Sequence, residues 1–191
     1  MTMNREEYLN RYAKKLVPLF KAAGYELDLE KVRISVGFPG GGNARTRIGE
    51  CWSNTASADG TTQIFISPIL GKIEKVDHVI VHELVHAVVG NKAGHGATFA
   101  KCARAVGLTG KMIATTASPE LRERLNAINA SVGTYPHAGL RMSDKPTKTQ
   151  TTRMKKITCS DCGYVLRTSA TWLSIGLPTC CCGGAFVADE A

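Results

Sequence analysis

His82-Glu83-Leu84-Val85-His86, with Gly94-His95-Gly96 a short distance beyond, is the stretch on which the reading of this 191-residue chain turns. On a helix, residues four apart lie one turn apart on one face, so His82 and His86 can offer neutral imidazoles to a single zinc ion. Glu83, beside the first of them, is then placed to reach a water on that metal and act as general base. His95, between two glycines, supplies a third ligand, and three protein ligands with a fourth position left to water define a catalytic zinc. A glutamate from a later helix, Glu120 or Glu123, is the rival for that third place.

The residues around the motif favour a site over scattered core histidines. Ile73, Val76, Ile80, Val81, Leu84, Val85, Val88 and Val89 leave almost no polar face apart from the histidines, Asp77 and Glu83, which predicts a buried helix. Buried imidazoles and a buried carboxylate need partners, and one metal ion can serve them together. His78, one turn before His82 on the same stripe, reads as an ordinary residue of the helix's first turns.

Upstream, Asn4 and Glu7 have the spacing of a capping box, and Tyr8, Leu9, Tyr12, Leu16 and Leu19 follow at helical intervals. Pro18 is expected to kink or split that helix and Gly24 to end it. Alternation of Val32, Ile34 and Val36 predicts a strand over 31–38. Pro39-Gly40-Gly41-Gly42-Asn43 lacks the glycine spacing of a phosphate-binding loop and reads as a plain turn. Two more strands are predicted over 46–53 and 62–67, joined through Ala58-Asp59-Gly60. The second of these, or its hairpin partner, is the expected sheet edge on which a substrate backbone would add as an extra strand. Cys51 and Cys102 read as small core residues. Phe99, Cys102 and Val106 predict a helix over 98–106, and Ser118-Pro119-Glu120 has the cap, first-turn proline and dipole-favoured acid that open another, running to about residue 129.

Residues 131–156 change character. They hold Gly, Pro, Ser and Thr with Arg141, Lys145, Lys148, Arg153, Lys155 and Lys156 against a lone Asp144, the composition of a basic linker. Such a segment either neutralises phosphates in a sequence-independent way or serves as a tether only. Tyr135 and His137 stand near its start, and a phenol or imidazole of this kind could stabilise an oxyanion, although nothing in the sequence places them at the histidines. Beyond it, Cys159-Ser160-Asp161-Cys162 and Cys180-Cys181-Cys182 are spaced as the two halves of a zinc ribbon over 157–191. Cys159, Cys162, Cys180 and Cys182 are the expected ligands of a structural zinc, with Cys181 free or standing in for Cys180. Tyr164, Arg167 and Trp172, between the pairs, suit stacking on single-stranded bases, while a tryptophan there more often packs the core of so small a module.

The motif His82-Glu83-Leu84-Val85-His86-Ala87, the run Gly94-His95-Gly96-Ala97-Thr98-Phe99 and the cysteine-paired tail together resemble the SprT-like zinc metallopeptidases. The resemblance implies a zincin-like protease domain in which His82, His86 and His95 hold zinc and Glu83 is the catalytic acid and base. It also implies that some relatives cut proteins attached to DNA, which makes DNA-associated proteins a candidate substrate class here.

Composition sets the remaining bounds. Lys and Arg outnumber Asp and Glu by 24 to 16, a net charge of +8 that favours an anionic partner such as nucleic acid. No apolar run reaches the ~20 residues of a membrane span, and the first residues lack the apolar core of a signal peptide. Cysteines bunched in metal-ligand spacing suit a reducing, intracellular location, cytoplasmic or nucleoid-associated. The expectation is an α+β fold with a small, mostly antiparallel sheet packed on helices. It divides into a protease domain over 1–130, a linker over 131–156 and a ribbon over 157–191. The expected activity is zinc-dependent endopeptidase action on protein substrates. The alternatives are a zinc-containing DNA-binding or scaffold protein without turnover, and a zinc hydrolase of a non-protein amide.

Overall fold

The computed structural model describes residues 3–40, 46–142 and 154–188. The chain divides into two compact units, Met1–Asp144 and Lys145–Ala191.

Unit 1 begins with α1 (Arg5–Ala22), whose capping box is formed as the sequence predicts: Glu7 N–H donates to Asn4 Oδ1 and Asn4 N–H to Glu7 Oε2. The helix runs unbroken through Pro18, so the expected split does not occur. It buries Tyr8, Leu9, Tyr12, Leu16 and Phe20 completely, at about 1.5–3 kcal/mol for each such side chain removed from water. Next come β1 (Val32–Val36), β2 (Gly49–Trp52) and β3 (Thr62–Ile66), in the spatial order β1-β3-β2. β2 pairs antiparallel to β3, with Cys51 opposite Ile64, but β1 pairs parallel to β3. The main sheet is therefore mixed, because the chain between β1 and β2 crosses over instead of closing a hairpin. β3 lies in the middle of the sheet, which leaves β2 as an edge.

The motif helix α2 (Ile73–Val89) packs against β2 and β3 and buries Val76, Val79, Ile80, Val81, Leu84 and Val85. Gly90 ends it at φ +83, a backbone region that glycine enters without the clash a Cβ brings. α3 (Ala97–Ala105) buries Phe99 and Cys102, as predicted. An antiparallel hairpin then follows that the sequence did not announce, β4 (Leu108–Lys111) and β5 (Ala114–Ala117). Its two-residue turn, Met112-Ile113, carries none of the Asn-Gly or Asp-Gly chemistry that marks tight hairpins. α4 (Pro119–Val132) opens as foreseen, with Leu121 N–H donating to Ser118 Oγ. Asp77 on α2, fully buried, accepts from Arg122 and Asn129 of α4 and so ties the two helices together.

Part of the stretch read as linker packs on this unit. Tyr135 is buried with its ring centroid 5.2 Å from that of Tyr8, His137 Nε2 donates to the Pro68 carbonyl, and Leu140 N–H donates to the same oxygen.

Unit 2 is a three-stranded antiparallel sheet ordered β7-β6-β8, with β6 (Lys155–Cys159), β7 (Val165–Thr168) and β8 (Phe186–Ala188), plus the single turn α5 (Ala170–Leu173). Among the described residues its buried core is Ile157, Cys159, Cys180 and Phe186. Trp172 does not join that core; it is 66% exposed. Among the described residues, no helix is long and apolar enough to cross a membrane.

Candidate metal centre and active site

α2 holds His82 and His86 one turn apart, and the glycine-flanked turn after it swings His95 back over them, helped by Gly94 at φ +48. His95 Nε2 stands 3.2 Å from His82 Nε2 and 3.2 Å from His86 Nε2. Nitrogens about 2.05 Å from one tetrahedral zinc stand roughly 3.3 Å apart, so the triad has the spacing the ion requires. A proton is not what holds it together. Burial, with the other histidines adding to it, pushes His82 down to about 3 and His86 down to about 4, and burial lowers His95 as well. The three rings are thus neutral near pH 7, with lone pairs converging on one point, an arrangement that fits zinc.

The support beneath the triad comes from one residue the sequence marked as core and one it did not mark. Phe99, read as core, lies under all three imidazoles with ring centroids 4.9, 4.4 and 5.0 Å from those of His82, His86 and His95. Thr115 of β5 places Oγ1 2.8 Å from His82 Nδ1.

Glu83 is buried beside the triad, against β2. A Cβ at Gly49 would stand 2.6 Å from Val79 Cγ1 and 3.0 Å from Glu83 Cδ, so the carboxylate lies in space that only a glycine leaves open. Burial first, and the charge of Glu50 second, push the Glu83 carboxyl up to about 8, with Arg47 pulling the other way. Glu50 is itself held by three donors, Arg47, the Gly40 N–H and Trp52 Nε1. Arg47 and Glu50 line, with the histidines, one cleft of about 320 Å³, floored by the histidines and Glu83 and walled by β2 on one side and by Ile113, Ala114 and Thr115 on the other. Asn91 Nδ2 donates to the Cys51 carbonyl and ties the turn after α2 to β2.

Glu120 is exposed at the start of α4 and lines a different cavity, and neither it nor Glu123 is grouped with the histidines. His78 lines the cleft and contacts Asp77. Tyr135 is packed against α1 and does not line the cleft. Cys51 is half-buried, its thiol pushed up to about 12, mainly by burial.

In unit 2, Cys159, Cys162, Cys180 and Cys182 converge, with Sγ separations of 3.5 Å for Cys159–Cys182 and 3.6 Å for Cys162–Cys180, while Cys181 is exposed and outside the group. Sulfurs about 2.3 Å from one zinc lie roughly 3.8 Å apart, so this set also fits. Backbone N–H groups of Cys162 and Asp161 draw the Cys159 thiol down to about 7. At Cys162 the Tyr164 N–H also lowers, but the neighbouring thiols outweigh it and raise the group to about 12, which is the expected response of crowded thiols that cannot all ionise without a cation. Of the basic residues, Arg141 is exposed in unit 1 and Lys155 and Lys156 are exposed on β6, while Lys145, Lys148 and Arg153 lie outside the described residues.

No curated protein and no solved structure matches the chain. The SprT-like family does, over residues 10–120, a span that runs from α1 through the sheet, the histidine helix and the β4–β5 hairpin to the start of α4. Since that span is more than half of the chain and contains the whole of the histidine cleft, the chain belongs to the SprT-like family.

Proposed function

We propose that this chain is a zinc-dependent endopeptidase that cuts peptide bonds in proteins. The observation that carries the reading is the convergence of three neutral imidazoles beside a buried carboxylate at the foot of a cleft walled by a sheet edge. His82, His86 and His95 would hold the zinc. When bound, that ion supplies an acidified water and polarises the scissile carbonyl. Glu83 takes the proton of the attacking water on its carboxylate and returns it to the leaving amine; burial favours the protonated form of this carboxyl, and a cation bound at the histidines would favour the charged form that the base requires. β2 is an edge strand at the cleft, and beyond its Cys51 carbonyl, which accepts from Asn91 Nδ2, an extended substrate would add as a strand and gain hydrogen bonds with little demand on its sequence. Family membership supports metallopeptidase chemistry.

The substrates we infer are proteins bound to DNA inside the cell. The net charge of +8, the basic residues Arg141, Lys145, Lys148, Arg153, Lys155 and Lys156 and the four-cysteine module support delivery to nucleic acid. The test compares the natural chain with Glu83→Gln for cleavage of a basic DNA-binding protein, with and without single-stranded DNA. Cleavage by the natural chain alone, stimulated by DNA, is expected. If neither chain cuts while both retain zinc and bind DNA, the protein is a DNA-binding scaffold and the peptidase reading is wrong. Truncation after Gln150 that leaves DNA affinity unchanged would remove the tail from the binding surface.

A further inference from the structure

The ring nitrogen of His82 that faces away from the triad is held by a strand far along the chain. His82 Nε2 points at His95, so its lone pair is the one available to a metal, and a neutral imidazole then carries its proton on Nδ1. Nδ1–H is 2.8 Å from Thr115 Oγ1 and donates to it. The partner is rigid on every count. Thr115 is 7% exposed and is the inward residue of the alternation Ala114, Thr115, Thr116, while Thr116 faces outward beside Thr109. Its β-branch restricts the side chain to few rotamers. The hairpin that carries it is fixed at both ends, by fully buried Leu108 and by Ser118 N–H donating to the Gly107 carbonyl at the base of α4.

From this geometry we infer that Thr115 is a positioning residue of the metal centre, which fixes the tautomer and ring plane of His82 so that Nε2 is presented to zinc before the ion arrives. The inference rests on the zinc reading above. It gives the β4–β5 hairpin a part in the centre beyond walling the cleft: with Phe99 packed against His86, it prearranges the two helical ligands, and exposed His95 closes the set from its glycine turn. Partners that orient a ligating histidine typically account for a ten- to hundredfold share of metal affinity.

The test measures the zinc dissociation constant of the full chain by competition with a chelator, counting the histidine and cysteine sites separately, for the natural chain, Thr115→Val and Thr115→Ser. Valine keeps the shape and deletes the hydroxyl, while serine keeps the hydroxyl and deletes a methyl. The expected result is a ten- to hundredfold weaker histidine site in Thr115→Val, near-natural affinity in Thr115→Ser, and an unchanged cysteine site in both. Equal affinity in the natural chain and Thr115→Val overturns the inference, as does a Thr115→Ser variant weaker than Thr115→Val, which would mean that the residue acts by packing. A natural chain that binds zinc only at the cysteines, with no loss of zinc in His82→Ala, overturns the zinc reading itself and the inference with it.

Discussion

Replacing Gly49 by alanine adds one methyl group at the closest approach between the sheet and the motif helix. That Cβ would stand 2.6 Å from Val79 Cγ1 and closer still to Glu83 Oε1, where ordinary contact begins at 3.4 Å, so the neighbours must withdraw by roughly 1 Å. Val79 is 4% exposed in a packed core and has little room to move, so most of the displacement falls on the Glu83 carboxylate. Overpacking of this kind costs about 1–3 kcal/mol of stability. A catalytic group moved by about 1 Å loses on the order of a hundredfold in rate. Gly49 is not at positive φ, so the effect is steric rather than conformational. The assay is kcat and KM on a protein substrate, with zinc content and thermal unfolding measured on the same preparation. Both zinc sites should stay filled, the melting temperature should fall by a few degrees, and kcat should drop about a hundredfold with KM changed little. A folded Gly49→Ala chain with natural kcat would refute the placement of Glu83, and loss of activity together with loss of zinc from the histidines would refute the claim that the carboxylate alone is disturbed.

Three more outcomes follow from the same geometry. Removing Arg122 leaves fully buried Asp77 without its cation, so Arg122→Ala should lose about 3 kcal/mol of stability in denaturant unfolding; a loss below about 1 kcal/mol would show that Asn129 and the His78 N–H suffice. In the zinc-stripped chain, His82 and His86 are held below their ordinary 6.5, so the unfolded state binds more protons between pH 6.5 and about 3 and their contribution to stability is lost as pH falls through that window. Glu83 acts in the opposite sense, since its raised pKa makes stability decline as pH rises from 4.5 to about 8, so Glu83→Gln isolates the histidines; a flat stability profile from pH 6.5 to 4 in that variant would contradict their buried, neutral state. Cys181→Ser should keep the full zinc content and Cys182→Ser should lose the ion of unit 2, whereas equal zinc loss in both would mean that Cys181 is a ligand.

The local parts of this protein are legible in its sequence because short-range physics sets them. Four-residue spacing put His82 and His86 on one face, a capping box started α1, Ser118 and Pro119 started α4, and glycines at 90 and 94 turned the chain so that His95 met the helix. The paired cysteines announced their cluster, and the choice of Cys180 and Cys182 over Cys181 agrees with the convergence found. Long-range partnerships had no such signal. The parallel pairing of β1 with β3, the Thr115 hydroxyl on His82 and the Arg122 guanidinium on Asp77 join residues tens of positions apart, and nothing in the spacing of either partner specifies the other; the Met112-Ile113 hairpin is local but lacks turn-forming residues. Packing likewise moved Tyr135 into the core beside Tyr8 and left Trp172 in solvent, against what their sequence neighbourhoods suggested. Gly49 shows the division most clearly: in sequence it is an unremarked strand glycine, and only the approach of α2 to β2 makes its missing side chain the space that Glu83 occupies. The sequence by itself determined which atoms could bind a metal and move a proton, since that is covalent chemistry set at helical spacing. Tertiary structure decided what orients those atoms and what wall a substrate meets, because those contacts exist only once distant segments are packed together.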